Sequence, residues 1–240
     1  MSTVKFYLSA IFAFLATAIY AQSADDIINK HLNAVGGKEL LTKITSLYME
    51  VSSQVMGNEM KGTVTVLNGK GYKSESDFNG QAIIQCITDT AGWMVNPMAG
   101  ITQPTAMPGD AYKTGKFQID IEPMLNYAAK GYKAELLGTD TAGSVNAYKI
   151  KLTTPDSLAF TFFIDPSTYY TVKTTFSGEV MGQSVDIISN YSDYKKTDFG
   201  FIFPYTVDTN FNGQFSYTTT ITKVEINKPV DPSIFAMPKQ

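Results

Sequence analysis

The feature that most constrains this chain is an alternation of apolar and polar residues with a period of two, which recurs from Thr45 almost to the end. In the first run, Leu47, Met49 and Val51 alternate with more polar neighbours. Such runs are typical of β-strands with one buried face. Turn pairs such as Ser177-Gly178 and Asn212-Gly213 separate them, as in short hairpins. We count about eleven strands, which predict one antiparallel sheet curling into a barrel.

Helices are predicted in two places where the alternation is absent. Ser23 is a plausible N-cap for a helix that Gly36-Gly37 would end, and residues 38–43 could add a turn. Residues 107–110 resemble a helix entry, and residues 122–129 predict a short helix. An isolated amphipathic helix is marginally stable in water. We therefore expect the first helix to pack its apolar side on the sheet through Ile27, Ile28, Leu32 and Val35.

The N-terminus predicts a targeting segment. Lys5 precedes the uncharged run Phe6–Ile19, which is shorter than the roughly 20 residues that span a bilayer. We predict a signal peptide over residues 1–21, cleaved after Ala21, and one domain over residues 22–240, because no linker or repeat divides the remainder. The mature protein is then expected in the periplasm. At the other end, Ile234, Phe235 and Met237 are expected to fold back on the domain.

Charge narrows the choice of partners. The net charge is −3 and all 19 basic residues are Lys. An acidic chain without Arg argues against nucleic acid as a partner, because phosphate binding requires a basic face. Without Arg, the chain has no guanidinium group that could bind a carboxylate through two parallel hydrogen bonds.

The sequence offers little catalytic chemistry. His31 is the only histidine and shares the apolar side of a predicted helix, so a structural role is favoured over catalysis. Cys86 lies in a strand-like run and is interpreted as a small buried apolar residue. Neither a serine-nucleophile elbow nor a zinc-protease motif occurs. We predict no enzyme, cofactor or metal; a site made of carboxylates alone is the enzymatic alternative.

One uncharged segment, GWMVNPMAGITQPTAMP at residues 92–108, combines the only Trp with three Met and three Pro. Prolines are poorly tolerated inside a buried strand, and solvated loops seldom carry Trp and Met. The segment is therefore either a bent part of the core or an apolar surface that meets another molecule.

The same segment resembles the periplasmic lipoprotein-carrier family (LolA/LolB-like proteins), in which an aromatic-rich strand is followed by Asn/Asp-Pro and a loop. Here that pattern is Trp93 to Pro97, followed by the loop to Gln103. The resemblance covers nearly the whole mature chain and is greatest to the outer-membrane lipoprotein-sorting protein subgroup. Further matching pieces are IINKHLNAVGGKELLTKI, FFIDPSTYYTVKT, YSDYKK with GFIFPY, and VEINKPVDPSIFAMP.

The resemblance implies an incomplete, half-open antiparallel β-barrel with helices covering its open side and a hollow interior that accepts acyl chains. It thus implies a periplasmic carrier or binder of lipoprotein or lipid, acting as a chaperone in sorting to the outer membrane with membrane-bound lipoprotein transport machinery. The apolar segment would then be the mouth of the cavity, where flexible Met side chains repack around varied shapes. The predicted ligand-binding residues are Trp93, Met94, Pro97, Met98, Ile101 and Met107.

One feature of the family is absent from this chain, and one alternative function is open. Classical carriers of the family close their lid partly through an arginine, and this chain has none, so that gating mechanism does not transfer. The alternative function is a structural or regulatory module of the same fold, in which the apolar residues fill the interior and the protein acts by protein–protein contact.

Overall fold

The computed structural model describes residues 22–55, 57–180 and 182–239. The expected signal peptide and its cleavage site lie outside these ranges. Within them, no helix is long and apolar enough to cross a membrane. The dominant element is one antiparallel sheet, whose thirteen strands are β1 Ser46–Val55, β2 Asn58–Leu67, β3 Gly71–Phe78, β4 Gln81–Thr88, β5 Gly92–Asn96, β6 Ile101–Ala106, β7 Lys133–Ala142, β8 Val145–Thr153, β9 Ala159–Ile164, β10 Thr171–Val180, β11 Gln183–Lys196, β12 Ile202–Phe211 and β13 Phe215–Ile226.

The strand order shows that the barrel does not close. Neighbouring strands run β6-β5-β4-β3-β2-β1-β13-β12-β11-β10-β9-β8-β7, and the two edges, β6 and β7, do not pair with each other. The first and last strands meet in the middle of the sheet, where Leu47 pairs with Ile226. Every other pair of neighbouring strands in this sheet is also consecutive in the chain, which agrees with the short turns. The half-open antiparallel barrel expected from the sequence is confirmed.

The sheet has thirteen strands where the sequence predicts about eleven, and one of the strands not predicted is β6, in a segment expected to be a loop. Pro104 lies inside β6, and proline has no backbone N–H to donate to a neighbouring strand. It is tolerated here because β6 is an edge strand and pairs only with β5.

Helix α1 spans Ala24–Ala34. The Ser23 hydroxyl accepts a hydrogen bond from the Asp26 amide, and the Asp26 carboxylate accepts one from the Ser23 amide, both at 3.1 Å. This capping box satisfies two N–H groups that a helix start leaves free. The expected apolar side is buried against the sheet, with exposures of 2% or less for Ile27, Ile28, Leu32 and Val35. The prediction that this helix packs on the sheet is confirmed.

The other helices are short. Helix α2 spans Lys38–Leu41, helix α3 spans Gly109–Gly115, and 3₁₀ turns occur at Pro97–Ala99, Lys116–Ile119, Tyr127–Lys130 and Pro232–Phe235. The helix predicted over residues 122–129 does not form as an α-helix; turns lead into the 3₁₀ segment from Tyr127. Asn126 has a φ of 52°, a left-handed conformation that cannot continue a right-handed helix.

The two faces of the sheet differ in what covers them. We call inner the face covered by α1 and α3, and outer the opposite face. Ile87 lies on the inner face beneath Gly115 of α3. Phe117, directly after α3, stacks on Phe160 with ring centroids 3.8 Å apart. Phe160 packs against the same core cluster as Ile27 of α1. Both helices therefore cover the same face.

A substitution in α3 tests this packing. A Cβ on Gly115 would lie 2.4 Å from Ile87 Cδ1, and Ile87 is fully buried. We expect Gly115→Ala to lower the free energy of unfolding by about 1–3 kcal/mol, because overpacking a filled core displaces side chains. Gly109→Ala in the same helix meets nothing within 4 Å and should leave the value within about 0.5 kcal/mol. Urea unfolding of both variants checks the difference; equal stabilities would contradict it.

Candidate functional site

A cavity of about 130 Å³ lies on the inner face beneath helix α1. Helix α1 and its C-cap form one wall, the segment 121–124 forms another, and strands β9 to β12 supply the floor. Most of the wall is apolar. The apolar lining residues include Val35, Ile121, Met124, Phe162, Phe201 and Phe203.

The polar part of the cavity centres on His31, which is only 3% exposed. Its Nδ1 lies 2.8 Å from the Tyr169 carbonyl oxygen. A carbonyl only accepts, so Nδ1 carries a proton and donates it. Its Nε2 lies 3.3 Å from Glu122 Oε2. Two acceptors would repel each other there, so a proton must lie between Nε2 and the carboxylate.

The charge state of this pair follows from its surroundings. Burial lowers the pKa of His31, but the charge and hydrogen bond of Glu122, with the Tyr169 carbonyl, outweigh burial and raise the pKa above its usual value. Both ring nitrogens face acceptors, and together with the raised pKa this favours the imidazolium form of His31 beside Glu122. Glu122 Oε1 also accepts a hydrogen bond from the Met124 amide at 3.1 Å. Through His31, helix α1 is attached both to the β9–β10 turn and to the segment 121–124.

Two tyrosines complete the polar lining. The Tyr194 hydroxyl donates to the Thr171 carbonyl, and the Tyr191 hydroxyl lies 3.1 Å from Thr174 Oγ1. Burial raises the pKa of both tyrosines, so both stay neutral. These polar groups are engaged with one another or with backbone, and the remaining surface of the cavity suits an apolar guest. Among the described residues, no cluster of three His, Cys, Asp or Glu side chains could hold a metal ion.

A second, wider space adjoins the first on the other side of Met124. This groove of about 500 Å³ runs between helix α1 and the segment 124–129. Its lining mixes apolar and polar residues. The apolar ones are Ile28, Leu32, Met124, Ala128 and Ala129, and the others are Asp25, Asn29, Lys38, Asn126 and Tyr127.

The residues predicted from the sequence do not meet at either space. Trp93 is 6% exposed and pairs with Cys86, and its Nε1 donates to the Phe235 carbonyl at 2.9 Å. Because Ile87, the neighbour of Cys86, lies on the inner face, Cys86 and Trp93 lie on the outer face. Met94, the next residue of β5, is on the inner face.

The other four residues lie at the edge of the sheet. Pro97 begins a 3₁₀ turn and Met98 is 56% exposed. Ile101 starts β6, and Met107 packs over Gly92, where a Cβ would lie 2.7 Å from its sulfur. None of the six predicted residues lines the cavity or the groove. That the six residues bind a ligand stays a prediction.

The sequence predicts other roles for two residues that line the cavity: a structural role for His31 and a place in a short helix for Glu122. The break of the alternation between about residues 97 and 130 is the signal that marks the covering segment, because a strand-rich sheet needs non-strand residues to cover its open side.

Comparisons with known proteins give the class of the fold. No protein-family model and no curated protein sequence matches the chain. Among solved structures, a LolA superfamily protein from Nitrosomonas europaea matches with a TM-score of 0.59 and 14% identity, over 90% of this chain and 98% of that one. A domain from Vibrio parahaemolyticus assigned to the outer membrane lipoprotein-sorting proteins matches with a TM-score of 0.57 and 11% identity, over 89% and 95%. A DUF1329 family protein from Desulfovibrio piger matches with a TM-score of 0.59 and 11% identity, over 90% and 98%.

The fold and the covered cavity thus define a half-open barrel of the LolA-like class. The resemblance inferred from the sequence is confirmed by these structural matches at the level of the fold.

Proposed function

We propose that the protein is a non-enzymatic periplasmic carrier or binder of acylated molecules, taking the acyl chain of a lipoprotein or lipid on its inner face. The observation that carries the proposal is the apolar cavity beneath helix α1 on the inner face of the sheet. Transfer of an acyl chain from water to an apolar wall gains about 0.8 kcal/mol per methylene group. The fold shared with a lipoprotein-sorting domain supports the same class of function, in sorting to the outer membrane.

A filled structural or regulatory module, acting by protein–protein contact, is the second candidate, and one observation favours it. The cavity of about 130 Å³ is smaller than typical ligand pockets of roughly 300–1,000 Å³. Phe117, Phe160 and Phe176 fill the adjoining interior as a stack, with successive centroids 3.8 and 4.9 Å apart. A carrier must therefore enlarge this space when it binds.

Binding of a fluorescent fatty acid, dansylaminoundecanoic acid, separates the two candidates. We expect the delipidated protein to bind the probe, and Val35→Phe, which adds volume at the cavity wall, to weaken binding by about tenfold or more. Met98→Ala changes an exposed side chain outside the cavity and tests the mouth expected from the sequence. Fluorescence titration measures all three proteins.

The outcomes are distinct. Loss of binding in Val35→Phe but not in Met98→Ala would favour the cavity beneath α1 over the loop. The reverse would favour the loop mouth. Delipidated protein that binds no acyl probe at any concentration would contradict the carrier function and favour the filled module.

A further inference from the structure

We propose that the Met124 side chain is a movable partition, and that its displacement joins the cavity and the groove into one site for a single-chain anionic amphiphile, a fatty acid whose carboxylate lies at Lys38. This inference rests on the proposed acyl binding and adds the entry route, the number of chains and the orientation of the ligand.

The partition is seen in the lining of the two spaces. Met124 is 1% exposed and is the one residue that lines both the cavity and the groove. Its amide donates to Glu122 Oε1 at 3.1 Å, which holds the backbone in place, while its side chain packs in the apolar core between the two spaces. Methionine has three rotatable bonds and adapts to irregular apolar spaces. A rotation of this one side chain would connect the spaces without moving helix α1.

Volume explains why the two spaces must join. An engineered cavity of roughly 150 Å³ holds one benzene molecule, so about 130 Å³ is too small for an acyl chain alone. The groove of about 500 Å³ falls in the range of small-molecule sites, roughly 300–1,000 Å³. The joined spaces accommodate one extended chain, whereas the several chains of a lipoprotein anchor would need far more room.

Charge sets the orientation of the ligand. Glu122 lies at the cavity and pairs with His31, so the cation that lines the cavity is already engaged and is not available to a ligand carboxylate. In the groove, Asp25 accepts a hydrogen bond from the Tyr127 hydroxyl at 2.5 Å. Lys38 is exposed and makes no ion pair within the described part of the chain. The carboxylate therefore stays at Lys38 and the tail passes Met124.

Substitutions of Met124 test the partition with the dansylaminoundecanoic acid probe. Met124→Ala removes the partition, so we expect tighter binding by about tenfold, because the open state no longer has to be populated from a closed one. Met124→Ile keeps a similar volume but is stiff at χ1, and we expect weaker binding. The second variant keeps the test valid if the alanine variant does not fold.

Substitutions of lysine test the orientation. Lys38→Gln should weaken binding of the anionic probe by about two- to fivefold, the range of an exposed ion pair, and leave competition by neutral dodecanol unchanged. Lys113→Gln, an exposed lysine on α3, is the matched control and should bind like the parent protein. A triacylated lipopeptide should compete less well than dodecanoate.

Each contrary result has a separate meaning. Probe binding that is equal in the parent protein and both Met124 variants would overturn the partition and leave the acyl-binding function standing. An unchanged Lys38→Gln, or stronger competition by the lipopeptide, would overturn the single anionic chain. No binding by any of the proteins would overturn both the inference and the proposed function.

Discussion

Replacing Phe235 by alanine is expected to lower the free energy of unfolding by about 3–5 kcal/mol, the usual cost of removing a buried phenylalanine ring. Phe235 is 5% exposed and belongs to a cluster with Cys86, Trp93 and Val95 on the outer face. Its carbonyl accepts hydrogen bonds from Trp93 Nε1 at 2.9 Å and Cys86 Sγ at 3.3 Å. The C-terminal segment therefore anchors strands β4 and β5 although it follows them by more than a hundred residues in the chain.

Two further variants show whether the loss comes from the ring. Met237→Ala changes a side chain that is 42% exposed and should stay within about 0.5 kcal/mol of the parent protein. A Cβ on Gly71 would lie 2.9 Å from two ring atoms of Phe235, so Gly71→Ala should be costly in the parent protein and much less so combined with Phe235→Ala. Urea unfolding of the parent protein, of Gly71→Ala, of Phe235→Ala and of the variant that combines them forms a double-mutant cycle. Additive losses would show that the ring does not press on Gly71.

This C-terminal segment illustrates how far the sequence predicts the structure. The apolar run 234–237 correctly predicted that Phe235 folds back, and Ile234 packs beside it. The prediction that Met237 also folds back on the domain is wrong, because its side chain is exposed. The strands, the capped helix α1 and the half-open barrel could be predicted because each depends on local periodicity, turn residues or capping groups.

The site could not be predicted because it depends on non-local pairing. The sequence predicts that Trp93 lies in a strand. The face of the sheet on which it lies depends on its register with Cys86 and on which segments cover each face. Its partner, Phe235, is 142 residues away in the chain. Likewise, His31 and Glu122 are 91 residues apart, and no local pattern indicates that they meet. The resemblance and the apolar composition of the loop therefore predict a ligand mouth at the loop, whereas a cavity lies beneath α1.

The second large expected effect is the change in thermal stability with pH that the His31–Glu122 pair causes. The folded-state pKa of His31 is raised above the unfolded value of about 6.5. Protonation therefore stabilises the folded protein: the contribution is fully present below pH of about 6.5 and is lost as the pH rises through the folded-state pKa. We expect the melting temperature of the parent protein to fall across this window. Thermal unfolding followed by circular dichroism at a series of pH values measures it.

Replacing Glu122 by glutamine should reverse this dependence. Removing one partner of a buried ion pair costs about 3–5 kcal/mol when the other stays charged. Burial, the largest influence on His31, would then lower its pKa below the unfolded value. The neutral imidazole becomes the stable form, so the melting temperature of Glu122→Gln should rise from pH of about 5 to 7 and level off above it. Glu39→Gln alters a carboxylate that is 89% exposed in its pair with Lys43, so it should keep the parental dependence. If parent and Glu122→Gln show the same sign of slope, Glu122 does not hold the proton on His31.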